Sequence, residues 1–291
     1  RKVPCSAMVA FMSQSPLPGL YIVSTPIGNL GDLSPRAQAI LSAADVVACE
    51  DTRVAGKLLH LFGIKRPLLR HDDHASDAQR ASLVARLAHD VVVLVSDAGT
   101  PLISDPGYRL VRDARAAGHR VTAVPGPCAA IAALSVSGLP TDRFLFAGFL
   151  PSKAGARAKA LAELAGIKAT LVFYESGPRL AASLSAMADA LGPRDASVAR
   201  ELTKLHEEVI TGRLDTLTQH FATPPKGEIV VVVAPPPEAK PAEADPEAVR
   251  AALAEAMISA PASRAARDVA KRFAISRDEA YAIALNLRGK T

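Results

Sequence analysis

No two cysteines of this 291-residue chain are spaced as a CxxC pair, and the three present, Cys5, Cys49 and Cys128, lie far apart. That spacing excludes a structural zinc site and a disulfide framework, and it points to a reducing, cytoplasmic compartment. No apolar run reaches the roughly 20 residues of a membrane helix. The segment 7–12 is too short even for a secretory core, so residues 1–18 read as a leader or disordered tail. No GxG occurs, which removes the GxGxxG dinucleotide fingerprint and the glycine-rich loops related to it. Gly289-Lys290-Thr291 imitates the end of a phosphate loop, but position 284, where that motif needs glycine, is alanine. His71-Asp72-Asp73-His74 has two histidines three apart in a polar loop, a pattern that faces solvent or substrate more often than it holds a metal, so no metal is expected.

What is present is an ordinary globular balance, 49% apolar and 22% charged, in a chain long enough for two domains. The net charge of +5 suits a polyanionic partner without requiring one. The excess is partly terminal, since residues 246–291 carry eight basic against five acidic residues.

The stretch around which the chain is organised is VVVLVSDAGTPLISDPG, Val91 to Gly107. Val91 to Val95 are five apolar and mostly β-branched residues, the mark of a strand buried on both faces of a parallel sheet. Ser96 to Pro101 then leave the sheet through a glycine and a proline, at the carboxyl edge where open α/β sheets place ligands. Asp105 is expected to cap the following helix, with Pro106 at its first position. Strands at Leu20 to Ser24, Asp45 to Cys49, near Leu68 and at Arg120 to Val124 alternate with helices, which predicts crossover units and a mostly parallel sheet over residues 19–138. Beyond Gly138 to Asp142 the strands crowd together, so a second α/β domain, 139–236, is expected to have a mixed sheet. Pro235 to Pro241 reads as a stiff linker, with 237–245 leading into a small helical unit, 246–291. Ser263 to Phe273 and Arg277 to Leu285 are spaced like a helix-turn-helix, for which RNA docking or packing is expected rather than DNA reading.

Polar clusters sit where strands end and packing does not ask for them: Glu50-Asp51-Thr52-Arg53, Tyr174-Glu175-Ser176 and Arg200-Glu201-Leu202-Thr203-Lys204. Together with these clusters, LYIVSTPIGNLGDLSPRA, ADVVACEDTR, SDAGTPLISDPG, VPGPCAAIAALSVSGLP, FLFAGFLP, RELTKLHEE and KGEIVVVV, in this order, resemble the bacterial ribosomal RNA small subunit methyltransferase I family of the tetrapyrrole methylase superfamily. The resemblance runs from about Leu20 to Ala234, and the helical tail is similar to that family's extension. One departure is visible: after Tyr174-Glu175-Ser176 the family usually reads Pro-His-Arg, whereas this chain has Gly177-Pro178-Arg179.

The resemblance implies S-adenosylmethionine as donor, held between two α/β domains, and 2′-O-methylation of a cytidine in the decoding region of 16S rRNA within the small subunit. It also implies a homodimer. Carried over by motif, the donor meets Pro26 after the first strand; Asp97, Ala98, Gly99, Thr100 and Pro101 after the central one; and the main chain of Leu102 and Ile103. It further meets Gly126, Pro127, Cys128 and Ala129, then Tyr174, and finally Lys226, Gly227 and Glu228. Methyl transfer from a sulfonium needs alignment and exclusion of water rather than a metal or a covalent nucleophile. A protonated ribose hydroxyl is a poor nucleophile, so Glu50 or Asp51 is a candidate base, with Arg53 or Lys204 orienting phosphate or ribose. The rival readings are a tetrapyrrole C-methyltransferase, disfavoured by the basic tail and by the CEDTR and RELTKLHEE blocks, and a non-catalytic RNA-binding protein.

Overall fold

The computed structural model describes residues 15–72, 75–237, 245–273 and 275–288. Asp73 and His74, the glycine-lysine-threonine sequence at 289–291 and most of the expected leader and linker lie outside the described residues. The chain divides into two compact units, one reaching Pro236 and the other beginning at Pro237.

The first unit contains two five-stranded sheets. The first sheet is built from β1 (Gly19–Val23), β2 (Val46–Cys49), β3 (Leu68–Arg70), β4 (Val91–Leu94) and β5 (Val121–Val124), in the order β3-β2-β4-β1-β5. All its pairings are parallel. The valine-rich β4 is buried on both faces, as its composition predicts, and lies between β2 and β1, with Val92 opposite both Leu20 and Val46. The crossovers are α1 (Pro35–Ala43), α2 (Thr52–Leu61), α3 (Asp77–Arg86) and α4 (Tyr108–Ala116), followed by α5 (Ala129–Val136) after β5. Ser34 caps α1 through the N–H of Ala37, and Pro35 occupies its first turn, where a missing N–H costs nothing.

The expectation for α4 is corrected. Neither Asp105 nor Pro106 starts the helix; Gly107 stands at the cap with φ 126° and no side chain caps the first turn. A Cβ on Gly107 would come within 2.7 Å of Leu94, so packing against β4 decides where the helix begins. Residues 101–107 remain an irregular loop, with Leu102 and Ser104 at positive φ.

The second sheet is mixed, as expected. It comprises β6 (Phe144–Phe149), β7 (Thr170–Ser176), β8 (Asp195–Arg200), β9 (Glu208–Arg213) and β10 (Glu228–Val233), ordered β6-β7-β10-β8-β9. Only β6 and β7 pair in parallel. Helices α6 (Ala154–Leu164), α7 (Gly177–Leu191) and α8 (Leu214–His220) cover its core, in which Leu161, Phe173, Leu184 and Val231 are fully buried. Helix α7 begins at Gly177, where Pro178 fits the first turn and the glycine leaves room for the carbonyl of Pro225, which a Cβ would strike.

Among the described residues the second unit is three helices, α9 (Pro246–Ser259), α10 (Ala262–Phe273) and α11 (Arg277–Arg288), packed around Val249, Leu253, Ala266 and Val269. Arg264, Arg267 and Lys271 lie exposed on the opposite face of α10. Among the described residues no helix is long and apolar enough to cross a membrane.

Phe173 carries the largest fully buried side chain of the second sheet. Phe173→Ala is expected to destabilise the fold by about 3–5 kcal/mol, read as a lower urea midpoint with an unchanged slope.

Candidate active site

The loops that leave the carboxyl edge of the first sheet are tied to one another. Thr25 and Gly99 exchange main-chain hydrogen bonds, Thr25 N–H to Gly99 C=O at 2.8 Å and Gly99 N–H to Thr25 C=O at 3.1 Å. Gly99 holds φ 79°, a left-handed value that glycine adopts freely. Thr100 Oγ1 donates to Pro127 C=O at 2.8 Å and lies 3.0 Å from Ser24 Oγ. Gly126 packs on Ser24 so closely that a Cβ would approach its Cβ to 2.8 Å. Asp97 Oδ1 accepts the Asp51 N–H at 3.3 Å, joining the end of β2 to the same assembly.

These loops form one wall of a cavity of about 370 Å³. Ile27, Ala98, Gly99, Thr100, Ile103, Ser104 and Asp105 come from the first sheet's edge, and Ala129 from the start of α5. The second sheet supplies Phe149, Tyr174, Glu175, Ser176, Ala199, Gly227, Glu228, Ile229 and Val230, and the loop after β8 adds Leu202. Of the residues carried over by resemblance, Ala98, Gly99, Thr100, Ile103, Ala129, Tyr174, Gly227 and Glu228 therefore share one cavity. Pro26, Asp97, Pro101, Leu102, Gly126, Pro127, Cys128 and Lys226 lie in the loops that support it.

Tyr174 is held edge-on to Phe146 and Phe149, at centroid distances of 4.8 and 5.5 Å, and its hydroxyl accepts the Ala130 N–H at 3.3 Å. Burial raises its phenol above the usual tyrosine range, so it stays neutral. Glu175 is only 3% exposed. Its carboxylate accepts from Ser183 Oγ at 2.5 Å and Ser176 N–H at 2.9 Å, and pairs with Arg179 at 3.3 Å. Arg179 also donates to the carbonyl of Leu150. Glu175 and Ser176 thus line the cavity without having been assigned to it from sequence; a polar cluster at the end of a buried strand was the available signal.

The four residues considered for catalysis stand outside that lining. Glu50 follows β2 and is half-buried. Asp51 caps α2, accepting the Arg53 N–H at 2.8 Å and pairing with the Arg53 guanidinium; that side-chain bond, first among its causes, holds the carboxyl well below its usual range. Lys204 Nζ bridges Glu201 Oε1 at 2.9 Å and Glu228 Oε2 at 2.8 Å. Burial alone would pull this ammonium down, but the bonds to Glu228 and Glu201 outweigh it and raise it. Glu201, at φ 50°, also accepts the Glu228 N–H at 3.0 Å, in space that a Cβ on Gly227 would occupy.

Residues 19–218 match the family described as tetrapyrrole (corrin/porphyrin) methylases. The chain belongs to this family. Among its members, the ribosomal RNA small subunit methyltransferase I of Erythrobacter litoralis (strain HTCC2594) is 56% identical over 278 residues, covering 95% of this chain and 98% of that protein. The protein of the same name from Mesorhizobium japonicum (strain LMG 29417 / CECT 9101 / MAFF 303099) is 50% identical, covering 93% and 92%. Solved structures of tetrapyrrole methylases share the fold at low identity: the methyltransferase CobJ matches with a TM-score of 0.56 at 19% identity, over 75% of this chain and 94% of that one. This chain is accordingly a methyltransferase of the tetrapyrrole methylase fold.

Cys49 ends β2 beside the site. Burial, then the carboxylates of Asp97 and Asp51, push its thiol up from 9.0 to about 11. The unfolded chain would ionise first, so the stability this thiol contributes is complete below pH 9.0 and is lost as pH rises to about 11. In urea titrations across that window, Cys49→Ala should show a shallower alkaline fall than the unaltered protein.

Proposed function

We propose that this chain transfers a methyl group from S-adenosylmethionine to the 2′-hydroxyl of a cytidine in the decoding region of 16S rRNA, acting on the small ribosomal subunit as a homodimer. The observation that carries the reading is the nearly end-to-end match to a protein named ribosomal RNA small subunit methyltransferase I. S-adenosylmethionine, when bound, supplies a methyl group on a cationic sulfonium.

The larger cavity fits that group. Its size falls within the range of small-molecule sites. Asp105, Glu175 and Glu228 line it, the last two matched from outside by Arg179 and Lys204, and among the described residues no lysine, arginine or histidine does, so no lining cation repels a sulfonium there. Gly99 offers main chain where a Cβ would stand 3.2 Å from Ile27 and fill the approach. In this reading Ala98 to Thr100, Ile103, Ala129, Tyr174, Gly227 and Glu228 hold the donor, and the neutral Tyr174 orients it without competing as a nucleophile. Asp51 and Lys204, already engaged by Arg53 and by two carboxylates, act as positioning groups at the rim, with Glu50 beside them. The exposed arginines and lysine of α10 suit RNA phosphates.

The test is label transfer from S-adenosylmethionine to small subunits that lack the modification. Label in 2′-O-methylcytidine is expected; label in a tetrapyrrole alone, or none despite donor binding, overturns the reading. Gly99→Val should weaken donor binding at least tenfold by calorimetry while leaving the circular dichroism spectrum intact, and unchanged affinity would contradict the placement.

A further inference from the structure

A second cavity, of about 250 Å³, lies at the same carboxyl edge of the first sheet. Its walls come from the loop after β3 (His71, Asp72), from α3 (Arg80) and from the entry to α4 (Asp105, Tyr108, Arg109). Asp105 lines both cavities, so they are neighbours across a single residue. They differ in chemistry. The larger is mostly apolar with no cation among its described lining residues, whereas the smaller brings two guanidinium groups, two carboxylates and an aromatic ring together.

Direct transfer between two molecules requires both to be held within bonding reach, so the acceptor must enter beside the donor. The second cavity is smaller than the roughly 300–1,000 Å³ of sites for drug-sized ligands, which leaves room for one nucleoside-sized group and none for a macrocycle. Tyr108, the first residue of α4, is 69% exposed, so the fold does not use its ring for packing. A bare aromatic face at the lip of a polar cavity is what a base splayed out of an RNA strand stacks upon. Arg80 is fixed in the wall between Asp77 at 2.8 Å and Asp113 at 2.6 Å, which match its charge. Arg109 is the exposed cation at the lip.

Resting on the methyl-transfer reading, we propose that this second cavity seats the target nucleotide, with its base on Tyr108, a backbone phosphate on Arg109 and its ribose at Asp105. Asp105 accepts the hydrogen bond of the 2′-hydroxyl and takes its proton as the oxygen gains the methyl group, the sulfur keeping the electron pair of the bond it loses. Asp105 is then the base, a role that its place between the cavities supports better than the rim positions of Glu50 and Asp51.

The experiment combines filter binding of unmodified small subunits with steady-state methylation, using the full chain. Tyr108→Ala should weaken subunit binding and raise the RNA KM about tenfold, with donor affinity unchanged, and Tyr108→Phe should recover most of that loss. Arg109→Ala should weaken binding and flatten its salt dependence. Asp105→Asn should bind subunits within twofold of the unaltered protein yet lose about 100-fold or more in kcat. Unchanged RNA binding and KM in both Tyr108→Ala and Arg109→Ala, or full kcat in Asp105→Asn, would overturn the proposal. An unaltered protein that binds donor but methylates no RNA would bring down the methyl-transfer reading itself.

Discussion

Main chain pairing with main chain at Thr25 and Gly99 is the contact on which the site depends. Parallel strands end with their carbonyls unpaired, and the chain must turn away at once to reach the next helix. Here the turns after β1 and β4 satisfy each other, and Thr100 extends the tie to Pro127 beyond β5. Loops are ordinarily the most mobile part of an α/β unit. Cross-linked in this way, these loops form a wall stiff enough to present backbone rather than side chains to a ligand.

The charges around that wall are sorted. Lys204, Arg53 and Arg179 are each matched to a carboxylate before reaching the larger cavity. Two of the matching carboxylates, Glu175 and Glu228, belong to residues that line it, as does Asp105. In the neighbouring cavity Asp77 and Asp113 match Arg80, and Arg109 is the exposed cation. A cationic small molecule in the larger cavity meets no lysine, arginine or histidine among the described lining residues, and a polyanion next door meets Arg109.

Much of the fold was legible in the sequence because its signals are local. Five consecutive apolar residues from Val91 announced a strand buried on both faces, and Gly/Pro turns announced where strands end. The crowding of strands after residue 140 announced a mixed sheet. The site was legible only as far as main-chain loops define it. Asp105 reads locally as a helix cap, yet the approach of Gly107 to Leu94 moves the helix start and leaves the aspartate facing the cavities. Arg179 and Ser183 gather around the buried Glu175, reaching back to Leu150, through β7 and α7 together, and no spacing in the chain states that. Likewise, the commitment of Lys204 to Glu228 joins residues 24 apart that meet only where β8 and β10 lie side by side.

Gly99, Gly126 and Gly227 shape or brace the cavity by the atom they lack, each facing a neighbour that a Cβ would crowd. Every other amino acid carries that atom, so these codons have no conservative replacement and no gradual route of change. Descendants of this gene can drift over most of the surface, but at these three places any change has to be absorbed by the pocket itself.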